Sequence, residues 1–410
     1  MSYIVNNEIK YSDSPNLDSF GRLRVSDPFT LFHFTAVVNS GQTKFESYVN
    51  NGSLTYNSDK SEIQFNAVSG STIIREQHGY NVYQPGKSQL ILLTGVFGSG
   101  VSGVVKKMGY FNNDDGLYFQ LSGSTFGVGV RTSTSGTMVD TFIPQTSWNI
   151  DTLISGNTLN PSGIHLDIAK TNIYIISFQW LGVGRVIFSL DIDGVIVPVH
   201  EILNANNKTS VYMKSGTLPI RYEVTSSSGS DSTFKQICST VISEGGLTNY
   251  GYNVAVSNGL TTKSINSKQS VISVRLAQTF SGVKNRTLAI PVAIELLTTT
   301  TSVVGYWELI HQRGYLNENS LGGLPTWNSV PNTPLEYSVD GTTVTGGRVI
   351  NSGYISTTAQ SGSKITDAII PEDEYMALNL SGNTSDWLHL VVTPSVSSSW
   401  SGKILIKTLY

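Results

Sequence analysis

Short apolar–polar alternations, separated by turn residues, run along nearly the whole chain. Segments such as KFESYV, QLILLTGVF, LYFQLS and GRVIFSLDI alternate apolar with polar residues, which is the period of a half-buried strand. Apolar residues at the three- and four-residue spacing of a helix are nearly missing. The one stretch that could be tested as a helix, VHEILNANN at 199–207, is too short. Regularly spaced strands and turns predict an all-β protein of the sandwich or barrel type.

The clearest strand pattern covers residues 171–202, TNIYIISFQWLGVGRVIFSLDIDGVIVPVHEI. One strand reaches Trp180, a Gly-Val-Gly turn follows, and a second strand ends before the Asp193-Gly194 pair. Asp-Gly between alternating apolar runs is a strong hairpin signal, because both turn residues adopt positive φ. Residues 109–133 repeat the pattern with Asp115-Gly116 and Gly123. The sequence therefore predicts antiparallel meanders.

A change of composition near residue 258 divides the chain. NGLTTKSINSKQ is a polar linker, and a new set of strand-like segments follows it, with a further Asp-Gly turn predicted at Asp340-Gly341. We expect three parts: an extended N-terminal arm at 1–35, a jelly-roll sandwich at 36–257, and a second β-sandwich at 258–410.

The charge and cysteine content exclude several classes of protein. Only 13% of residues are charged, the net charge is −3, and no basic cluster exceeds the pair Lys106-Lys107. Nucleic-acid binders need more positive charge to neutralise phosphates, so no nucleic-acid partner is expected. The single cysteine, Cys238, lies in the strand-like FKQICSTVI and is interpreted as a buried structural thiol.

The chain carries no pattern typical of membrane insertion or secretion. No apolar run approaches the roughly 18 residues of a membrane-spanning helix. The first residues, MSYIVNNEIKYSDS, lack the charged and apolar regions of a signal peptide. We therefore expect synthesis in a cytoplasm and no membrane insertion.

The order of the strands in the first two-thirds of the chain resembles a known fold. DGLYFQL, FGVGVRT and IYIISFQWLGVGRVIFSLDIDGVIV follow one another as in the heart of concanavalin A-like, laminin-G-like jelly rolls. The resemblance covers roughly residues 36–250 and lies in the order of elements rather than in single residues. It implies that the first sandwich is a concanavalin A-like jelly roll.

Longer segments resemble a family of virion-associated proteins of tailed bacteriophages and large DNA viruses. They are SFGRLRVSDPFTLF, YQPGKSQLILLTGVF, GYFNNDDGLYFQLSGSTFGVGVRT, SWNIDTL, GIHLDIAKTNIYIISFQWLGVGRV and VHEILNANN, in this order. The resemblance implies a structural protein of a virus particle and brings no catalytic residues with it. The C-terminal third matches the family less well.

Catalytic chemistry is not indicated by the titratable residues. Some jelly rolls of this type are glycoside hydrolases, which need two carboxylates roughly 5–9.5 Å apart on one sugar. The nearest approach is Asp191 and Asp193, which turn formation explains, whereas Glu201 and Glu308 stand alone. The acidic loop PEDEY, 371–375, is interpreted as a solvated surface, and the six histidines lack ligand spacing. No catalytic, cofactor or metal site is predicted.

Aromatic residues in loops offer a different chemistry, because lectin-like sites stack sugar faces on Trp or Tyr. Trp148, Trp180 and Trp307 are interpreted as core. The alternative for the loop aromatics is local packing or a subunit interface. The candidates for a glycan site are Tyr80, Tyr83, Tyr110, Phe111 and Trp327, and the predicted glycan contacts are Tyr110, Phe111 and Trp327.

The segment DSFGRLRVSDPFTLF, 18–32, combines many apolar residues with breaks at Gly21 and Pro28. So much apolar surface must be covered, either by its own sandwich or by a neighbouring subunit. Arginines that alternate with apolar residues suit an edge strand added to another sheet. The predicted anchoring residues of the arm are Phe20, Arg22, Leu23, Arg24, Phe29 and Phe32.

These patterns lead to three functional hypotheses. The first is a non-enzymatic structural component of a virus particle, a head-decoration or fibre-type protein localised to the virion. It would contact capsid or tail subunits and form a homo-oligomer, with a trimer expected. The second is a glycan-binding adhesin for attachment to a host. The third, a glycan-cleaving enzyme, is disfavoured by the isolated carboxylates.

Overall fold

The computed structural model describes residues 2–5, 8–11, 27–227, 231–248, 251–357, 362–365 and 374–409. Within these ranges the chain is built of strands joined by turns, with two 3-10 turns of helix at Gln145–Ser147 and Gly314–Leu316. None of the helical segments in the described ranges is long and apolar enough to cross a membrane. The all-β class predicted from the sequence is confirmed.

The strands of the N-terminal region and the first sandwich run from β1 to β17. They are β1 (Ser2–Val5), β2 (Glu8–Tyr11), β3 (Phe29–Thr35), β4 (Phe45–Asn50), β5 (Ser53–Asn57), β6 (Glu62–Ala67), β7 (Thr72–Gln77), β8 (Gln89–Val96), β9 (Val104–Phe111), β10 (Gly116–Ser122), β11 (Thr125–Thr132), β12 (Val139–Pro144), β13 (Asn172–Phe178), β14 (Val186–Ile192), β15 (Val195–Ile202), β16 (Ile220–Ser226) and β17 (Ser232–Ser243).

The remaining strands form the second sandwich and its loops. They are β18 (Tyr252–Ser257), β19 (Lys263–Ile265), β20 (Gln269–Leu276), β21 (Thr279–Phe280), β22 (Val283–Lys284), β23 (Leu288–Thr298), β24 (Val304–Gln312), β25 (Asn328–Ser329), β26 (Leu335–Ser338), β27 (Arg348–Ser356), β28 (Gly362–Ile365), β29 (Trp387–Pro394) and β30 (Ser398–Leu409).

The first sandwich is a jelly roll of two antiparallel sheets. One sheet has the order β12-β11-β10-β9-β16-β7-β4, and the other has the order β15-β14-β13-β8-β17-β6-β5, with β3 also paired to β17. Alternate side chains of both sheets meet in one apolar core, where the rings of Phe119 and Phe188 pack edge to face with their centroids 5.4 Å apart. The predicted turn at Asp193-Gly194 joins β14 to β15, with φ of 54° and 84°.

The second sandwich pairs a smaller sheet, β18-β30-β23-β28 with β19 on β30, with a sheet of order β25-β26-β20-β29-β24-β27. Its separate core runs from Val256 to Ile406 and includes the fully buried Trp400. β18 begins at Tyr252 and pairs with β30, so the second sandwich starts before residue 258, where the change of composition placed it. The change of composition does not mark the start of β18, because only a short connection separates β18 from β17, the last strand of the first sandwich.

The C-terminal part of the predicted arm belongs to the first sandwich itself. β3 pairs with β17, from Phe29 opposite Ser243 to Thr35 opposite Cys238. Phe32 is 8% exposed and packs on Phe45 with ring centroids 5.6 Å apart, while Phe29 is half-buried. Phe32 therefore covers its own sandwich rather than anchoring a neighbour, because alternate side chains of β3 face the core. Phe29 lies in the same strand but is not part of that core cluster. The other predicted anchoring residues, Phe20, Arg22, Leu23 and Arg24, lie outside the described residues.

We expect truncation to show where the sandwich begins. A variant that starts at residue 36 loses β3 and the buried rings of Phe32 and Phe34, whereas a variant that starts at residue 27 keeps them. Losing two buried phenylalanines costs several kcal/mol, so the shorter variant should melt at a clearly lower temperature. Circular dichroism melts compare the two; equal melting temperatures would contradict the place of β3 in the core.

Polar contacts join the two sandwiches. His78, directly after β7, places Nε2 2.6 Å from Oδ2 of Asp386, directly before β29, and both side chains are 1% exposed. Asp386 also accepts hydrogen bonds from Arg313 Nη1 at 3.0 Å and from the Gly314 N–H at 2.9 Å. Burial alone would raise the pKa of Asp386, but His78, His311 and Arg313 hold it well below the usual value. Asp386 is thus an ionised, buried centre of the joint.

Further polar groups extend this joint. The Tyr375 hydroxyl donates to the His78 carbonyl, and the Tyr315 hydroxyl donates to the Gln42 carbonyl at 2.7 Å. The Leu380 N–H donates to Glu46 Oε2 at 2.6 Å, and burial raises the pKa of Glu46 to about 7. The two apolar cores are distinct clusters, so specific hydrogen bonds rather than a shared core fix how the sandwiches meet.

Candidate functional site

Two of the predicted glycan contacts lie inside the first sandwich. Tyr110 and Phe111, at the end of β9, are both 0% exposed. The Tyr110 hydroxyl donates to the Asn81 carbonyl at 3.1 Å and accepts the Leu218 N–H at 3.3 Å. The ring of Tyr110 belongs to the apolar core, and the next residue, Phe111, is covered by Tyr118 and two arginines. This placement corrects the prediction: neither side chain reaches a surface where a sugar could stack.

Phe111 has a structural role of its own. The guanidinium carbons of Arg131 and Arg221 lie 5.3 and 5.4 Å from its ring centroid. Arg221 in turn contacts Glu76 at 3.1 Å and Glu223 at 2.5 Å. These two carboxylates are distant in the sequence, and both bind the Arg221 guanidinium rather than facing a space that could hold a substrate. Sequence patterns missed the cluster because β7 and β16 are paired only by the fold.

Trp327, the third predicted contact, lies at the surface of the second sandwich. It precedes β25 and stands against Trp387, the first residue of β29, with ring centroids 5.1 Å apart at an angle of 52°. Both side chains are partly exposed. We call these two indoles with Arg275 and Glu336 the tryptophan platform.

A charged pair fixes the platform. On the outer face of the sheet, Arg275 of β20 lies between Glu336 of β26 and Trp387 of β29. Its Nε donates to Glu336 Oε2 at 2.7 Å, and its guanidinium carbon lies 4.2 Å from the ring centroid of Trp327. A guanidinium over an indole face is attracted by the ring quadrupole, so Arg275 holds Trp327 beside the sheet.

Asp340 holds the loop that carries Trp327. Its carboxylate accepts the Thr326 N–H at 3.0 and 3.1 Å and the Ser338 hydroxyl at 2.5 Å. These hydrogen bonds, first that from Ser338, lower the pKa of Asp340. The sequence predicted a hairpin at Asp340-Gly341, but no strand follows β26 there; the aspartate caps the loop at residue 326 instead.

A buried hydrogen-bonded row lies beside Trp387 on the same face of the sheet. Ser273 Oγ lies 2.7 Å from His389 Nδ1, and His389 Nε2 lies 2.9 Å from Gln312 Oε1. All three residues are 0% exposed, and burial lowers the pKa of His389 to about 3. A serine beside a histidine can act as a nucleophile only where substrate reaches it. This row is therefore a support for β20, β24 and β29.

The carboxylates weighed in the sequence have structural partners. Asp191 Oδ1 accepts the Gly194 N–H at 2.8 Å, which closes the β14–β15 turn. Glu201 contacts Arg185 at 2.6 Å, and Glu308 contacts Lys268 at 2.6 Å. In the PEDEY loop, residues 371–373 lie outside the described residues, and Glu374 contacts His311 at 3.1 Å.

The other predicted core residues and the cysteine are placed as follows. Trp148 and Trp307 are buried, and Trp180 is half-buried against Tyr83, with the rings edge to face at 5.9 Å. Cys238 is half-buried in β17, and burial raises the pKa of its thiol. Across the part of the chain that the structure describes, no group of three or more His, Cys, Asp or Glu residues could hold a metal ion.

Comparison with known proteins gives distant likenesses in structure. No family model and no curated protein matches the sequence. A glycoside hydrolase family protein from Mycobacterium thermorestibile covers 52% of this chain and 99% of its own, at 11% identity and a TM-score of 0.37. The Emp46p carbohydrate recognition domain, in a metal-free form, covers 54% of this chain and 97% of its own, at 7% identity and a TM-score of 0.33.

A legume lectin-like domain from Entamoeba histolytica covers 53% of this chain and 98% of its own, at 10% identity and a TM-score of 0.31. Identities and TM-scores this low do not indicate a function for this chain. Among the described residues, the tryptophan platform is the group of partly exposed aromatic and charged side chains described above.

Proposed function

We propose that this protein binds glycans without cleaving them and that the tryptophan platform is the contact surface. The observation that carries the proposal is the pair of partly exposed indoles, Trp327 and Trp387, held at a fixed angle beside a charged pair. Indole faces stack on the apolar faces of sugar rings, and nearby charged groups can bond the hydroxyls. A platform that is already ordered loses little conformational entropy on binding.

The carboxylates at the platform support binding rather than cleavage. Glu336 is paired with Arg275, and Asp340 is bonded to Ser338 and the Thr326 backbone. A glycosidase needs one carboxylic acid free to protonate the leaving oxygen and a second carboxylate across the sugar. We therefore propose that bound glycans stay intact. Release of reducing ends that disappears in a Glu336→Gln variant would contradict this.

Replacing Trp327 should weaken glycan binding strongly. We expect the full chain to bind members of a glycan array and Trp327→Ala to reduce that binding at least tenfold, because stacking on the platform is lost. Tyr354→Ala is the matched control, since Tyr354 is 78% exposed on β27 of the same sheet but pairs with Tyr306, away from the platform. Glycan binding that survives Trp327→Ala, or that falls equally in Tyr354→Ala, would place the contact elsewhere.

A structural role in a virus particle is a second, separate proposal. It is supported by the resemblance of the first two-thirds of the chain to virion-associated proteins, and it includes capsid or tail partners, localisation to the virion and a homo-oligomer. Light scattering of the purified chain tests the oligomer, and a monomer at micromolar concentration would argue against it. Because β3 belongs to the sandwich, a test of anchoring by the arm should delete only residues 1–26.

A further inference from the structure

We propose that the glycan bound at the tryptophan platform carries a carboxylate, as uronic and sialic acids do, and that Arg275 determines this specificity. The inference rests on the proposed glycan binding. Arg275 sits at the centre of the platform, with its guanidinium carbon 4.2 Å from the ring centroid of Trp327. A sugar that stacks on the indoles therefore places its substituents within reach of this cation.

Arg275 keeps hydrogen-bonding capacity after its structural contacts are made. Its Nε donates to Glu336, and among the described residues Glu336 is the one hydrogen-bond partner of the Arg275 side chain. A guanidinium has five N–H donors, and its terminal nitrogens form a fork that matches a carboxylate with two parallel bonds. The side chain is 29% exposed, so part of it is open to solvent. The donor set suits a planar anion better than a lone hydroxyl.

The neighbouring groups strengthen this interaction in two ways. Trp327 covers one face of the guanidinium and removes water from it, which makes a hydrogen bond to the other side stronger than it would be in open solvent. Glu336 fixes the guanidinium through Nε, so little side-chain entropy remains to be lost when a ligand binds. The Glu336 carboxylate also repels the carboxylate of a ligand. The ligand carboxylate must therefore bind the terminal nitrogens of Arg275 on the side that faces away from Glu336.

The alternative is that Arg275 only supports Trp327 and that the charge of the ligand has no influence. The two cases predict different affinities for acidic and neutral glycans. If Arg275 is structural, acidic and neutral glycans bind alike, and removing its charge weakens both through loss of the platform. If Arg275 binds a carboxylate, the acidic glycan binds more tightly, and removing the charge weakens binding of the acidic glycan more than binding of the neutral one.

The experiment uses pairs of glycans that share the same sugars and differ in carboxylate charge. An array with neutral, carboxylated and sulfated glycans is probed first. Titration calorimetry on the full chain then compares sialyllactose with its methyl ester, and an oligogalacturonide with its methyl ester. We expect the acidic member of a pair to bind at least tenfold more tightly. Arg275→Met should abolish the difference, and Arg275→Lys should restore part of it, because lysine keeps the charge but not the fork.

A matched charge-removal control is available on the same sheet face. Lys268 is partly exposed and pairs with Glu308, away from the platform, so Lys268→Met should leave both affinities unchanged. Equal affinity for the acidic and the neutral member of each pair would overturn the inference, and so would an equal loss of affinity for both members in Arg275→Met. In either case, binding of neutral glycans that depends on Trp327 would still support the proposed function. Array binding confined to sulfated glycans would also overturn it. Absence of any Trp327-dependent glycan binding would overturn the proposed function itself.

Discussion

Asp386→Asn should lower the free energy of unfolding by about 3–5 kcal/mol, because it removes the charge from a buried ion pair and leaves its partners uncompensated. Asp386 is fully buried and accepts bonds from His78 of the first sandwich and from Arg313 and Gly314 of the second. The neutral amide cannot balance the Arg313 guanidinium, which is 8% exposed. Urea denaturation of the full chain, followed by tryptophan fluorescence, measures the change.

Glu295→Gln is the control for that variant. Glu295 contacts Lys403 at 3.2 Å, and the side chains are 42% and 35% exposed. Exposed ion pairs of this kind contribute less than about 1 kcal/mol, since water screens them. If Asp386→Asn costs no more than Glu295→Gln, the buried joint does not stabilise the protein. A transition that splits in two would show that the sandwiches unfold separately once the joint is weakened.

Tyr110→Ala should lower the free energy of unfolding by about 3–5 kcal/mol, the usual cost of removing a large buried ring. The ring of Tyr110 packs against Phe178 in the first core, with centroids 5.6 Å apart. Its hydroxyl also joins the Asn81 carbonyl to the Leu218 N–H. Thermal and chemical denaturation of the purified variant test the effect, with Tyr354→Ala expected within about 0.5 kcal/mol of the parent protein.

Tyr110→Phe separates the two contributions of that side chain. It keeps the ring and removes the hydroxyl, so the cost should fall to about 1–3 kcal/mol, the range for leaving buried backbone groups unpaired. A Tyr110→Ala variant that is as stable as the parent would contradict the buried placement. Any loss of glycan binding in that variant should follow from the damaged fold, since Tyr110 is remote from solvent.

Local signals in the sequence identified most of the strands but not their neighbours. The alternation in GRVIFSLDI and the Asp193-Gly194 turn are local, and β14 and β15 form as predicted. Asp340-Gly341 has the same signature, yet its carboxylate bonds Thr326 across a loop. A turn motif fixes the backbone only over a few residues, so what its side chain contacts depends on chain segments that the motif does not specify.

Of the four residues of the tryptophan platform, the sequence pointed to Trp327 and not to Trp387, Arg275 or Glu336. Trp327 stood out as a loop aromatic, while Tyr110 and Phe111 were chosen for the same reason although β9 extends through both of them. Trp387 begins the strand WLHLVVTP, where its alternation with the buried Leu388 and Leu390 places it on the outer face, so the sequence did carry a signal for this residue. Arg275 and Glu336 could not be found this way, because only the pairing of β20 with β26 brings them together.

The pairing of β3 with β17 has a consequence for synthesis of the protein. β3 is made near the start of the first sandwich, and its partner, which ends at Ser243, is made roughly 200 residues later. At ~5–20 residues/s this interval is about 10–40 s. During that time Phe32 and Phe34 belong to a nascent chain without the strand that covers them. The first sandwich closes only at the end of its own translation, which makes the unfinished chain a substrate for chaperones and a point at which aggregation competes with folding.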